Sequence, residues 1–244
     1  MALSCHDCAR LSFRCVDLVD YCTWHSLGGR RLRLLSGCSS AHVFHAAAGL
    51  AGDGRPDNDS VGTAANHAGI SLANAAITTG TGNVTLYGSA WNAAIALLHG
   101  VQVSGGTTVT STTGDITMRG RGGNGTAQNY GVYIKDNGTS ISTNDGDVRI
   151  IGIGGNGSGN NNAGITIEGS SIASLGTGAS AGIVTLDGTG GSGNAINFGI
   201  SIDSSLLSTV DGDLAINGVG DGKTHILVLQ RIRTATARRI ERQE

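Results

Sequence analysis

Between about Gly62 and Gly222 the chain alternates apolar and polar positions in short bursts that recur at a nearly constant interval. Glycines at 69, 100, 131, 164 and 199 each open one such burst, reading GISL, GVQV, GVYI, GITI and GISI. Alternation over a few residues is the pattern of a half-buried strand. It predicts inward positions at Ile70, Val101, Val132, Ile165 and Ile200, and again two residues on at Leu72, Val103, Ile134, Ile167 and Ile202. A second aliphatic column follows at Ile77, Val109, Ile141, Ile172 and Leu207. A third strand reads NVTL, DITM, DVRI, VTL and DLAI, and a glycine column at 88, 120, 152, 188 and 218 closes it before a Gly/Asn-rich loop returns to the next anchor. The segment is therefore five imperfect copies of one unit of 31 to 35 residues.

Self-similarity at this period defines a repeat architecture. Three short strands separated by glycine corners make one coil, and the expected fold is all-β: a parallel β-solenoid of about five coils with irregular or disordered N- and C-terminal segments. No single copy buries its own aliphatic face, so stacking must do so, with stability summed over neighbouring coils. At a parallel-strand spacing of about 4.8 Å, five coils make a rod of roughly 24 Å. Glycine at the corners is expected to supply positive φ. A sandwich has no reason to repeat the same corner glycines and in/out pattern five times, and a disordered chain does not preserve aliphatic columns.

Composition agrees. There are 41 glycines against one proline, Pro56, without a Gly-X-Y period, and aromatic residues make up 4% of the chain. Stacked identical turns have little room for rings. Charge divides the chain into three: residues 1–60 balanced, 61–223 carrying −5, and 224–244 carrying +3. An acidic middle lacks the basic face that phosphate binding needs, which argues against nucleic acid as its partner. The basic tail from Arg231 to Arg242 reads as a solvated charge run. Residues 1–60 show no repeat and are expected to be poorly ordered. All five cysteines, Cys5, Cys8, Cys15, Cys22 and Cys38, fall there. Cys5 and Cys8 supply half a zinc site that Cys22 and His25 would complete, while incidental cysteine is the simpler reading. No apolar h-region or transmembrane stretch is visible, so no export route is expected from these residues. Beyond Gly222 the repeat gives way to a short apolar run and then a basic one, from which a truncated or frame-shifted reading of a longer gene is expected.

The units GVYIKDNGTSISTNDGDVRIIGIGGNG and GISIDSSLLSTVDGDLAINGVGDG resemble the glycine-rich β-strand repeats of filamentous-haemagglutinin-like bacterial surface proteins. The resemblance covers residues 62 to 222. It implies an exported, cell-surface or extracellular rod that is structural or adhesive, with glycans, neighbouring cell surfaces or its own copies as partners.

Chemistry-bearing motifs are few. GRGGNG at Gly120, GIGGNG at Gly152 and GTGGSG at Gly188 match a dinucleotide fingerprint, but none opens a helix, so they read as loop chemistry and no cofactor is expected. The same loops fall short of a calcium nonapeptide, with Ala127 and Gly159 where its aspartate would stand. Asn83, Asp115, Asp147 and Asp213, interrupted by Ile183, form the nearest thing to a carboxylate column. Asp115 and Asp147 stacked about 4.8 Å apart would come near the spacing of a retaining glycosidase pair. Asp and Asn before a strand more commonly bond a turn's backbone. Thr78, Thr110, Ser142, Ala173 and Ser208 make a hydroxyl column of the kind ice-binding solenoids present. Sequons at Asn58, Asn83, Asn124, Asn137 and Asn156 are expected by chance in such a composition, and His67 and His99 have no nucleophile beside them. The leading expectation is a non-enzymatic surface-adhesin-like rod with no catalytic residues. A carbohydrate-processing solenoid using Asp115 and Asp147 is the alternative, and an ice-binding solenoid a third.

Overall fold

The computed structural model describes residues 68–220 in full, together with the backbone of four strands outside that range: Trp24–Leu27, Arg31–Leu34, His42–Ala46 and Ile226–Leu229. The described residues form a parallel β-solenoid of about five coils. Each coil contributes one strand to each of three sheets. The first sheet stacks Ile70–Ala73, Val101–Ser104, Val132–Lys135, Ile165–Glu168, Ile200–Asp203 and Ile226–Leu229. The second stacks Ala76–Thr78, Thr108–Ser111, Ser140–Thr143, Ser171–Ser174 and Leu206–Thr209, with Arg31–Leu34 and then Trp24–Leu27 beyond the first of them. The third runs from His42–Ala46 through Val84–Ser89, Ile116–Arg121, Val148–Ile153 and Val184–Thr189 to Leu214–Val219. The cysteines, Asn58, His67 and the basic tail lie outside the fully described residues, as does the side chain of His25.

Every inward column read from the pattern is in register. Val101 pairs with Ile70 and Val132, Ile141 with Val109 and Ile172, and Ile150 with Met118 and Leu186. These side chains form one core, almost all of it fully removed from water; Leu214 and Ile216 pack against it only partly buried. At about 1.5–3 kcal/mol for each buried aliphatic side chain, these columns dominate the drive to stack. The fourth coil takes its extra length in residues 175–183, which include the 3-10 turn Gly178–Ser180 and bring Ile183 into the aspartate row.

Two expectations need correction. The third strand does not stop at its glycine but runs one residue further, to Ser89, Arg121, Ile153, Thr189 and Val219. Nor do the anchor and closing glycines supply positive φ. They form a seam where the first and third sheets come closest: a methyl group on Gly120 would collide with the carbonyl of Gly131, and one on Gly131 with the amide of Ile153. Left-handed backbone falls instead in two columns, one at the turn between the first and second strands (Asn74, Gly105, Asp136, Gly169 and Ser204) and one in the return loops (Leu97, Gln128, Asn161 and Ile196). Asn, Asp and Gly are the residues that tolerate it best.

Beyond the seam the Gly/Asn-rich loops build a layer of their own. Its interior is the column Leu98, Asn129, Asn162 and Asn197, at most 4% exposed. Asn129 Nδ2 donates to Asn162 Oδ1 at 2.9 Å, and Asn162 Nδ2 to Asn197 Oδ1 at 3.2 Å. The same Oδ1 atoms accept backbone amides of the preceding coil, Asn129 N to Asn162 at 3.3 Å and Asn162 N to Asn197 at 3.1 Å, and Asn129 Oδ1 likewise accepts Leu98 N at 3.3 Å. Buried hydroxyl columns pin the other corners in the same way. Thr143 Oγ1, for example, donates to the Gly114 carbonyl one coil back and accepts the Gly146 amide of its own turn.

Candidate binding face

The candidate residues named from sequence are spread over the outer faces. Asn83, Asp115, Asp147, Ile183 and Asp213 do lie in one exposed outward row. The side chains of Asn83, Asp115 and Asp147 are engaged with backbone: Asp115 N donates to Asn83 Oδ1 at 2.7 Å, Asp147 N to Asp115 Oδ1 at 2.9 Å, and Ile183 N to Asp147 Oδ1 at 2.7 Å. Each of these side chains therefore ties its own coil to the next. A parallel row does the same in the loop layer, where Asn124 N donates to Asn92 Oδ1, Asn156 N to Asn124 Oδ1, and Ser192 N to Asn156 Oδ1.

The hydroxyl column faces outward on the second sheet, with Thr110 Oγ1 donating to Thr78 Oγ1 at 3.2 Å. The three Gly-rich motifs continue from strand into extended loops, and Gly125 of the first bridges Gly157 of the second. Among the described residues no three His, Cys, Asp or Glu side chains converge as metal ligands would, and no helix is long and apolar enough to cross a membrane.

Two clusters emerge only in three dimensions. On the first sheet, the rings of His99 and Tyr130 stack with centroids 5.0 Å apart, and Tyr133 packs edge-on to Tyr130 at 4.9 Å. Tyr133 donates its hydroxyl to Glu168 Oε2 at 2.7 Å, and Lys135 Nζ sits 5.4 Å from the Tyr133 ring centre. Burial, reinforced by the Glu168 charge, pushes the Tyr130 phenol up to about 12, and burial together with the Glu168 hydrogen bond raises Tyr133 further. Both phenols stay neutral over the physiological range.

The second cluster lies at the far end of the third sheet. Extending each strand past its glycine puts Tyr87, Arg119, Ile151, Asp187 and Asn217 in one outward row, and Ser89, Arg121, Ile153, Thr189 and Val219 in the next. Arg119 and Arg121 are both exposed, about 7 Å apart along the strand, and form no ion pair among the described residues. Arg149, one coil on, donates from Nη2 to Asp187 Oδ2 at 2.9 Å with its side chain 56% exposed, and Asn217 holds the other oxygen of Asp187 at 2.9 Å. Thus three of the four Lys and Arg residues between 68 and 220 meet on adjacent coils of one face. Asp115 lies at the opposite edge of that face, four residues before Arg119 along the strand, and Asp147 lies two residues before Arg149. Guanidinium groups match carboxylate and sulfate with two parallel hydrogen bonds, and the Ile151 and Ile153 side chains offer apolar surface beside them. The signal was present in sequence as R-x-R after DIT and an Arg two residues after Asp147. It was hidden by ending the strand at the glycine and by averaging charge over the whole repeat region.

No protein-family model matches this sequence, and no curated protein and no solved structure matches it either. The fold places the chain among parallel β-solenoid repeat proteins.

Proposed function

We propose that the chain is a structural or adhesive rod from a bacterial surface protein of the filamentous-haemagglutinin-like kind, and that its adhesive contact is with acidic glycans at the cell surface. The observation that carries this reading is the gathering of Arg119, Arg121 and Arg149 on one flat sheet face in a body that is otherwise acidic. A linear polysaccharide bearing carboxylate or sulfate groups can lie across such a face, its charges on the arginines and its ring faces on the isoleucines. The register-true side-chain ladders along the rod support a presenting role, because they hold the spacing of outward groups constant from coil to coil.

The test is retention of the whole chain on immobilised heparin and on polygalacturonate, against neutral dextran, over a salt gradient. The chain should bind the two acidic polymers and release with salt, as exposed charge contacts do. Arg119→Gln with Arg121→Gln should abolish retention. A second variant with glutamine at Arg231, Arg233, Arg238 and Arg239 should keep it. If the face variant binds as well as the parent, or if only the tail variant loses binding, the adhesive site has been misplaced.

A further inference from the structure

The chain between 68 and 220 contains four Asn-Gly steps, at 124, 137, 156 and 217, and the fold treats one of them differently. Asn124 Oδ1 accepts the Asn156 amide at 3.0 Å, and the following Gly125 amide donates to the Asn156 carbonyl at 2.9 Å. Asn156 Oδ1 accepts the Ser192 amide at 3.1 Å, and the Gly157 amide donates to the Ser192 carbonyl at 2.9 Å. Asn217 lies inside the strand Leu214–Val219 with its side-chain amide donated to Asp187 at 2.9 Å. Asn137 and Gly138 are exposed, sit at the centre of the turn closed by Thr139 N to Asp136 O at 3.1 Å, and among the described residues make no hydrogen bond through the Asn137 side chain or the Gly138 amide.

We propose that Asn137–Gly138 is a site of spontaneous covalent modification, at which the rod slowly acquires a new negative charge. The Gly138 nitrogen attacks the Asn137 side-chain carbonyl carbon. A C–N bond forms to close a five-membered succinimide, the Gly138 amide proton is lost to solvent, and the side-chain nitrogen departs as ammonia. Water then opens the ring at either carbonyl, leaving aspartate or isoaspartate. Glycine after the asparagine removes the side chain that would obstruct the attack. At 124 and 156 both reacting groups are held by the neighbouring coil, so reaction there needs the ladder to open first, and the strand with its tie to Asp187 holds 217.

The position matters because Asn137 and Gly138 line an open cleft of about 710 Å³. The turn 136–139 is two residues longer than the turns 169–170 and 204–205 of the next two coils. Ser170, Ser204 and Ser205 line the same cleft, and the Ser170 hydroxyl is buried with no partner among the described residues. Conversion of Asn137 would set a second carboxylate beside Asp136, turning a neutral polar cleft acidic without disturbing the stack.

The whole chain, produced in a host that does not glycosylate asparagine, is aged at mildly alkaline pH and mapped by peptide mass spectrometry, with isoaspartate counted by enzymatic methylation. Residue 137 should convert first, roughly tenfold or more ahead of 124, 156 and 217, because two retained hydrogen bonds must break at 124 and 156, and the strand with its side-chain tie to Asp187 must give at 217. In denaturant the four steps should converge to similar rates, and Asn137→Gln should remove the early product. Equal rates at all four steps in the native chain, or a faster rate at any of the other three, would overturn the proposal.

Discussion

The aliphatic stack under the three sheets and the asparagine stack in the loop layer share one rise, one register and one chain, yet they are held by different forces. In the first, Ile, Val, Leu and Met interchange freely down a column: Leu86, Met118, Ile150 and Leu186 occupy one position in successive coils. The hydrophobic effect is non-directional, so volume and burial suffice. In the second, Asn129 donates to Asn162 and Asn162 to Asn197, each Oδ1 accepts a backbone amide of the coil before it, and only the Nδ2 of Asn197 at the end of the column has no partner among the described residues; buried amides left unpaired are costly. The column accordingly keeps asparagine at 129, 162 and 197. Tolerance of substitution is thus set by the kind of force in a layer, even where burial is equally complete.

Substitutions can break that contrast. The largest effect is expected from Ile150→Ala, fully buried in the middle coil, at about 2–5 kcal/mol by urea unfolding, with Ile150→Val costing only about 0.5–1.5 kcal/mol. Next comes Asn162→Leu. It is close to a shape-conserving change, but it strands the Asn129 side-chain amide and backbone N–H and should cost roughly 2–3 kcal/mol. A neutral or stabilising result there would mean that the loop layer is merely filled, as the aliphatic one is. The smallest effects belong to the exposed aspartate row. Asp147→Ala removes the acceptor for Ile183 N and should lose about 1 kcal/mol, while Asp147→Asn keeps an Oδ1 in place and should melt like the parent. The same Asp147→Asn protein, assayed on soluble polysaccharides beside the parent, separates a rod from a hydrolase: loss of a measurable turnover with folding intact would replace the adhesive reading with the enzymatic one.

Much of this was legible from the chain itself. Period-2 alternation at Ile70 and Leu72, repeated from anchor to anchor, determined the strands, the inward columns and the parallel stacking, because a narrow core can be closed only by the next copy of the same unit. The asparagines two residues before the anchors at 131, 164 and 199 were equally regular, but a polar column in a loop is indistinguishable by pattern from a solvated one. Only the tertiary structure decided that these amides face inward, since their burial depends on the loops of adjacent coils closing over them. It also decided why the anchor glycines are glycines. Close approach of two sheets is a distance between residues remote in the coil, which no local propensity encodes. For the same reason the arginine end of the third sheet, with its strands running past the glycine, became visible only once coils two and three were laid side by side.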